Sequence, residues 1–515
     1  MPVVTIDGRE VRVGPGATVL DAARALGIDV PTLCQVESCA PSPSCMACVV
    51  RVQGRPGLVP SCATPAQDGM VVESETEVVR AARRTALELL LGDHVGDCRA
   101  PCHRICPVDL EVPLVLRLIG AGQVDQAIAT VRREVPLAGV LGRICPAPCE
   151  AGCRRGGHDA PVAIRNVERW VADADRERPA PWQPPAAAAQ GQRVAVVGAG
   201  PTGLAAAWFL RLKGIACTVF ERTGEAGGIL RDVPRSELPR AVLAAEVDGL
   251  RRLGVDLRFG VEVGATVSLE ELRREHDAVL IAAGAAAPAG FFGGKAVTST
   301  GATDVPVVFA AGDAVRPRQR PLEALADGKR AARELARLLA GASVSRGSES
   351  VSILGRLREG EMAEFLQGAN PAERVGPGRG LPAAYTAEEA TRESGRCVHC
   401  DCRKYTDCRL RRWAEAYGAD RSAWTGERRR FERRMDHPFV VYEPGKCIAC
   451  GICVRVAAQG QEAVGLTFVG RGFDVRVAVP FGATLAQGLE RVAERCVRCC
   501  PTGALAAITS PPPRT

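Results

Sequence analysis

Nothing in the 515-residue sequence is apolar for long enough to cross a membrane. Apolar runs such as Val194–Val197, Ala205–Leu210 and Ala278–Ala283 fall far short of the roughly 20 residues that a spanning helix needs. The start, MPVVTIDGREVRV, alternates apolar and charged residues and lacks the basic-then-apolar order of a signal peptide, so the chain is expected to stay in the cytoplasm. No solenoid-type repeat, acid–base pair, catalytic nucleophile or substrate pocket is legible. Aromatic residues make up only 4%, and fractions of 46% hydrophobic and 24% charged are those of a soluble globular protein. The length fits three or four domains better than one.

What is present is cysteine, 22 residues in tight clusters between long cysteine-free stretches. In a reducing compartment disulfides explain this poorly, and thiolate ligands to iron or zinc explain it directly. The formal charge of +7 would suit nucleic acid, but a tetra-thiolate iron–sulfur centre carries roughly −2, so several of them cancel the excess. Nucleic acid is therefore not expected as a partner.

Four segments are expected. Residues 1–78 alternate as strands around Asp7-Gly8 and then take a helical pattern from Thr18 to Leu26, an α+β module. Residues 79–177 are helical and carry two cysteine triplets, followed by a Pro/Ala linker over 178–192. Residues 193–341 read as an α/β domain, 342–385 as a linker, and 386–515 as a segment with ten cysteines.

In the first segment Cys34, Cys45, Cys48 and Cys62 are spaced by ten, two and thirteen residues in a loop of small side chains that lets backbone amides approach sulfur. With TVLDAARALGIDVPTLC, SCATP and DGMVV, this stretch resembles the N-terminal [2Fe-2S] domain of the complex I large iron–sulfur subunit and related formate dehydrogenases. The resemblance implies a β-grasp fold and one [2Fe-2S] cluster. A structural zinc site is the alternative, and Cys39 fits no ligand slot.

The triplets HVGDCRAPCHRICP and GRICPAPCEAGCRR each lack a fourth thiolate and must pool ligands. They resemble the N-terminal domain of the glutamate synthase small subunit and of dihydropyrimidine dehydrogenase, which holds two [4Fe-4S] clusters. By position this implies Cys106, Cys145 and Cys149 with Glu168 at an oxygen-ligand slot, and Cys98, Cys102 and Cys153 for the other cluster. A fourth family cysteine is missing from the second set, and His94, four residues before Cys98, stands where complex I has a histidine ligand. The plainer readings are a surface histidine and a solvated Glu168–Arg169 pair.

RVAVVGAGPTGLAAAWFLRLKGIACTVFER is a strand, a GxGxxG turn, a helix and a second strand ending in an acidic residue. Gly198 permits the turn, Gly200 lets the backbone approach a pyrophosphate, Gly203 allows close helix packing, and Glu221, next to Arg222, is placed for a ribose hydroxyl. EAGGIL, with Gly228, and DVPVVFAAGDAVRP, with Asp313, resemble later FAD segments of the same flavoproteins, so the resemblance implies FAD. Those relatives insert a second, NADPH-binding Rossmann domain between the positions of Ala285 and Asp304. About twenty residues remain here, too few for one βαβ unit, and the nicotinamide domain is expected to be lost. An empty flavin scaffold is the bland alternative.

RCVHCDCRKYTDCRL supplies Cys397, Cys400, Cys402 and Cys408, a complete ligand set for a [4Fe-4S] cluster or for zinc. KCIACGICVRVAAQ and RCVRCCPTGAL resemble the two halves of a bacterial double-cluster ferredoxin, which implies one [4Fe-4S] site of Cys447, Cys450, Cys453 and Cys500. The other site would need residues 457, 490, 493 and 496, which are Ala, Glu, Ala and Cys.

The expected total is FAD, one [2Fe-2S] and about four [4Fe-4S] clusters. The expected fold is a multidomain α/β and α+β protein: a β-grasp domain, a helical iron–sulfur domain, a Rossmann-type FAD domain without its NAD(P) domain, and a ferredoxin-like end. The expected function is an electron-transfer subunit of a cytoplasmic redox complex of hydrogenase or formate dehydrogenase type. Its partners would be the other subunits. A self-contained NAD(P)H:acceptor oxidoreductase and a metal-stabilised scaffold are the alternatives.

Overall fold

The computed structural model describes the chain apart from residues 38, 288, 293–300, 318–319, 342–351, 377–383, 425 and 509–515. The expected 342–385 linker and the short stretch after Ala285 lie partly outside the described residues. Among the described residues no helix is long and apolar enough to cross a membrane.

The chain packs into two compact units. The first comprises Met1–Ala100, Arg346–Ala369 and Val398–Thr515, and the second Pro101–Ser345 and Asn370–Cys397. This grouping differs from a linear series of segments: the triplet segment is divided between Ala100 and Pro101, and the two ends of the chain share one unit.

In the first unit, strands Val3–Ile6 and Arg9–Arg12 form a hairpin across Asp7-Gly8, both at positive φ, which suits a tight two-residue turn. Val3–Ile6 also pairs in parallel with Met70–Glu73, which continues to Val49–Val52 and Leu58–Pro60 in one five-stranded sheet. The helix Val19–Ala25 starts at Thr18, whose side chain and that of Asp21 cap each other's backbone N–H groups. It buries Val19, Leu20, Ala22 and Ala23 in the same core as Val4, Ile6, Val50 and Val72.

Helix Glu77–Gly92 then packs on helix Arg409–Tyr417, joining the two ends of the sequence. The fully buried Arg83 fixes the joint: its Nε donates to the Val49 carbonyl at 3.1 Å, and its Nη1 reaches Glu75 at 2.7 Å and Tyr417 Oη at 2.6 Å. Near the C-terminus Val440–Tyr442 pairs antiparallel with Leu505–Ala507, and a hairpin joins Thr467–Val469 to Arg476–Ala478.

The second unit has a helical part from Pro101 to Arg176 and a parallel five-stranded sheet. The strand order is Val308–Ala310, Ala278–Ile281, Arg193–Val197, Ala216–Glu221, Asp256–Phe259, the Rossmann-like pattern with the first strand central. Buried Arg132 joins the helical part to the α/β part, donating to Asp175 at 2.7 Å and to Glu246 at 2.5 Å. Buried Glu393 accepts from the Ala163 and Val375 N–H groups, both at 2.7 Å, and so ties the 370–397 segment to the helical part.

The glycine turn is sterically closed on one side and open on the other. A Cβ on Gly203 would stand 1.9 Å from the Gly198 carbonyl oxygen, whereas one on Gly200 would meet nothing within 4 Å. Gly203→Ala is therefore expected to cost about 1–3 kcal/mol or more, because the obstacle is backbone. Gly200→Ala should stay within about 0.5 kcal/mol of the parent protein. Chemical denaturation of the two variants side by side checks the contrast.

Candidate metal centres and cofactor cavity

In the first unit the four N-terminal thiols are buried together. Cys34 and Cys45 have their sulfurs 3.4 Å apart, and Cys62 is a hydrogen-bonding neighbour of both Cys48 and Cys34. Hydrogen bonds from Cys45 and Cys62 hold Cys34 far below the usual thiol range, while Cys45 and Cys62 are pushed well above it. Cys39 is buried nearby, with its sulfur 3.5 Å from Gln459 Oε1.

Cys447, Cys450, Cys453 and Cys500 surround a second place, a small cavity also lined by Tyr442 and Thr502. Burial pushes Cys447 up to about 11 and Cys450 up to about 12, and the thiolate of Cys500 adds to both. The backbone N–H of Ala449 points at Cys447 Sγ from 3.4 Å, the kind of donor that supports a thiolate ligand. Where a second ferredoxin site would need thiolates, Ala457 and Cys496 are buried in an apolar core with Val492, and Ala493 packs against it. Cys496 Sγ lies 3.8 Å from the Cys453 carbonyl.

A third set is one that the sequence spacing does not suggest. Burial pushes Cys98 up to about 11 and Cys408 up to about 12, and for both thiols the Cys402 thiolate is the next largest cause. The Cys402 N–H donates to the Cys98 carbonyl at 3.2 Å. Backbone N–H groups point at these sulfurs too, Ser352 at Cys98 Sγ (3.2 Å) and Arg411 at Cys408 Sγ (3.5 Å). Cys402 and Cys408, from the 397–408 segment, thus stand beside Cys98. Two cysteines six residues apart on one loop find their third neighbour about 300 residues earlier, which no local pattern encodes.

His94 is partly buried rather than on the surface. Its Nδ1 is out of solvent without a hydrogen-bond partner, and burial together with the nearby Lys446 pushes the imidazole down to about 3. Lys446 is itself buried, paired with Glu443, and lies beside Cys402.

In the second unit Cys106, Cys145, Cys149 and Glu168 converge. Burial, then Glu168 and Cys106, push Cys145 up to about 12, and the same neighbours act on Cys149. Glu168 is buried and pushed up to about 8 by that burial, and Arg169 turns instead to Asp173 Oδ2, 3.5 Å away. The solvated Glu168–Arg169 pair is not formed. Cys102 and Cys153 lie on neighbouring turns: helix Pro101–Ile105 packs on Pro148–Ala151, and Arg155 Nη1 donates to the Arg396 carbonyl at 2.9 Å, beside Cys397.

Among the described residues no three His, Cys, Asp or Glu side chains converge tightly enough to hold a single metal ion. In a four-iron cluster each ligand instead meets its own iron.

At the C-terminal end of the parallel sheet lies a cavity of about 720 Å³, lined by Gly198, Gly200, Glu221, Arg222, Gly228 and Asp313, so the nucleotide-site residues expected from the sequence line one space, with Gly203 buried behind them. Volume and position suit a dinucleotide. Gly228, at φ +49, abuts Gly200, where a Cβ would come to 3.0 Å of the Gly200 Cα. Arg231 and Arg240 also line the cavity, and no motif in the sequence points to them. Glu221 does more than face a ribose position: it accepts from the Ala199 N–H (2.8 Å) and from the Thr223 N–H and hydroxyl (both 2.9 Å).

Comparison with known proteins agrees with these domain types. A model of the 2Fe-2S iron-sulfur cluster binding domain matches residues 3–77, dihydropyrimidine dehydrogenase domain II, 4Fe-4S cluster, matches 76–180, and an NAD(P)-binding Rossmann-like domain matches 196–245. The chain is thus a mixed α/β multidomain protein with iron–sulfur and Rossmann-like nucleotide-binding domains. It is 39% identical over 207 residues to the NADP(+)-dependent formate dehydrogenase subunit beta of Moorella thermoacetica, covering 36% of this chain and 29% of that one. It is 35% identical to the NAD-dependent dihydropyrimidine dehydrogenase subunit PreT of Escherichia coli K12 (37% and 47% covered). With the glutamate synthase [NADPH] small chain of Mycobacterium tuberculosis the identity is 38% (37% and 40% covered). The chain therefore spans less than half the length of these relatives.

Because Glu221 holds the glycine turn, Glu221→Ala is expected to destabilise the protein by about 1–3 kcal/mol through unsatisfied N–H groups. Glu221→Gln, which keeps an acceptor oxygen, should cost less. Denaturant titration of the two variants measures both.

Proposed function

We propose that this chain is an electron-transfer subunit that binds FAD and iron–sulfur clusters and relays electrons between a partner of dehydrogenase or hydrogenase type and an acceptor. The observation that carries the reading is the contact between thiolate sets inside the first unit. Arg455 Nη2, two residues after Cys453, donates to the Cys34 carbonyl at 2.8 Å, and the Cys34 thiolate is close enough to raise Cys450. On the other side Lys404 Nζ donates to the Cys500 carbonyl at 2.8 Å, and a Cβ on Gly503 would fall 2.3 Å from Cys402 Sγ. The ferredoxin-like set thus stands between the other two, an order suited to stepwise transfer.

Cys34, Cys45, Cys48 and Cys62 would hold the [2Fe-2S] cluster in a β-grasp domain. Cys447, Cys450, Cys453 and Cys500 would hold one [4Fe-4S] cluster, and Cys106, Cys145, Cys149 and Glu168 another. Cys98, Cys102, Cys153, Cys397, Cys400, Cys402, Cys408 and His94 remain for two more. FAD would lie along Gly198, Gly200 and Gly203, with Glu221, Arg222, Gly228 and Asp313 around it. When bound, a flavin exchanges electrons singly or in pairs and the clusters exchange them singly. The protein's own part is to bury the thiolates, aim backbone N–H groups at them and keep the glycine turn open.

A self-contained NAD(P)H:acceptor oxidoreductase is the second reading, favoured by the NAD(P)-binding description of the Rossmann-like match. The twenty or so residues between Ala285 and Asp304 speak against it. Anaerobic titration of the cluster-replete chain with NADH, then NADPH, then dithionite separates the two. Bleaching of flavin by dithionite alone is expected, and rapid bleaching by a nicotinamide would install the second reading instead.

Cys453→Ser should remove about four irons per chain, the content of one cubane. Cys496→Ala and Cys499→Ala should leave the iron content unchanged. Iron analysis after anaerobic reconstitution decides.

A further inference from the structure

Within the second unit, helix Pro321–Leu339 touches both the dinucleotide cavity and the loop that follows Cys106. Ala324 and Thr202 line the cavity. Gly328 packs directly on the helix Pro201–Leu212 that follows the glycine turn, since a Cβ there would stand 2.2 Å from the Thr202 carbonyl oxygen. The next residue, Lys329, is buried, with its Nζ 5.0 Å from the centre of the Phe209 ring. That ammonium donates to the Val108 carbonyl at 2.5 Å and to the Glu134 carbonyl at 3.2 Å, and it pairs with the Glu134 carboxylate. At the helical rise, Ala324 and Lys329 are roughly 7.5 Å apart along the axis.

Val108 faces two ways. Its N–H, like that of Leu110, donates to the Cys106 sulfur, and its carbonyl is the one that Lys329 holds. Lys329 is also close enough to favour the Cys106 thiolate by its charge. Burial pulls the ammonium below its ordinary range, and the Glu134 carboxylate works against that loss. The carboxylates acting on it are shared: Glu134 lies 3.8 Å from Arg333, and Asp109 lies 3.1 Å from His103 Nε2. Neither answers Lys329 alone. A cluster that gains an electron gains a negative charge, so a fixed cation nearby and N–H groups on its sulfurs favour the reduced form.

We propose that Lys329 is a positioning residue for the site of Cys106, Cys145, Cys149 and Glu168: it holds the loop that aims N–H groups at sulfur, and its charge raises the reduction potential of the cluster bound there. This rests on the relay reading above, which takes that set to bind iron. The lysine comes from the nucleotide-binding part of the unit and not from the cysteine-bearing helices. The cluster is thus tuned by the same helix that walls the cofactor cavity.

The test uses the full chain, reconstituted anaerobically with iron and sulfide, titrated with titanium(III) citrate and followed by EPR. The signal of this site is the one that Cys149→Ser removes. Lys329→Gln, which keeps an N–H donor and loses the charge, should hold the wild-type iron content. Its signal should shift about tenfold toward the oxidised form, a fall of about 59 mV for a one-electron couple. Lys329→Arg should lie closer to wild type than Lys329→Gln does. Glu134→Gln leaves the lysine in place and removes a negative charge, so it should raise the potential, and it keeps the test in force should Lys329→Gln fail to fold. The inference is overturned if Lys329→Gln leaves the potential unchanged, if Lys329→Arg falls as far, or if Glu134→Gln does not raise it. Wild-type protein that takes up no iron, or that loses no signal in Cys149→Ser, overturns the iron reading of this set itself, whereas an unmoved potential in iron-replete protein overturns the role of Lys329 alone.

Discussion

The interaction on which the first unit depends is the crowding of buried thiols. One apolar core contains Cys34, Cys39, Cys45, Cys408, Cys450, Cys453 and Cys496 beside Leu87, Trp413 and Tyr442. Burial disfavours the thiolates, and neighbouring thiolates disfavour each other, so hydrogen bonds and positive charge must stabilise the ionised ligand sets. The chain supplies a little of it: Lys446 is buried beside Cys402, and Arg433, also buried, shares the Glu443 carboxylate with Lys446. One cation beside several thiolates falls short of balance. The core is therefore built to be completed by metal, and binding metal displaces thiol protons in the same step that consolidates packing. The small aromatic content fits this, since centres surrounded by cysteine take the place that large rings hold in other cores.

Local motifs in the sequence corresponded closely to local structure. The Asp7-Gly8 hairpin, the Thr18 cap, the Gly198–Gly203 turn and the strand carrying Glu221 all lie where residue pattern and spacing put them. Sets whose members are close in sequence or follow one template, such as Cys34 to Cys62 and Cys106 to Glu168, also come together. What could not be read is pairing over long separations. Nothing within a dozen residues of Cys402 or Cys408 points to Cys98, and nothing near Arg83 points to Tyr417. The same limit explains Glu221, legible as an acidic residue at a strand end yet not as an acceptor for the Ala199 N–H. Glu168 shows the reverse case, where a helical Glu-Arg pair has the spacing of a surface feature and the fold buries the glutamate.

The separation of the thiolate sets from the parallel sheet has a physical logic. The dinucleotide cavity needs a parallel sheet with a sharp glycine turn, and the thiolate sets need loops whose backbone N–H groups are free to face sulfur. These demands conflict within one layer of structure, because sheet ladders consume the N–H groups that a cluster loop must spare. Dividing them lets Ala449, Ser352 and Arg411 aim their N–H groups at sulfur while Arg193–Val197 commits its own to neighbouring strands.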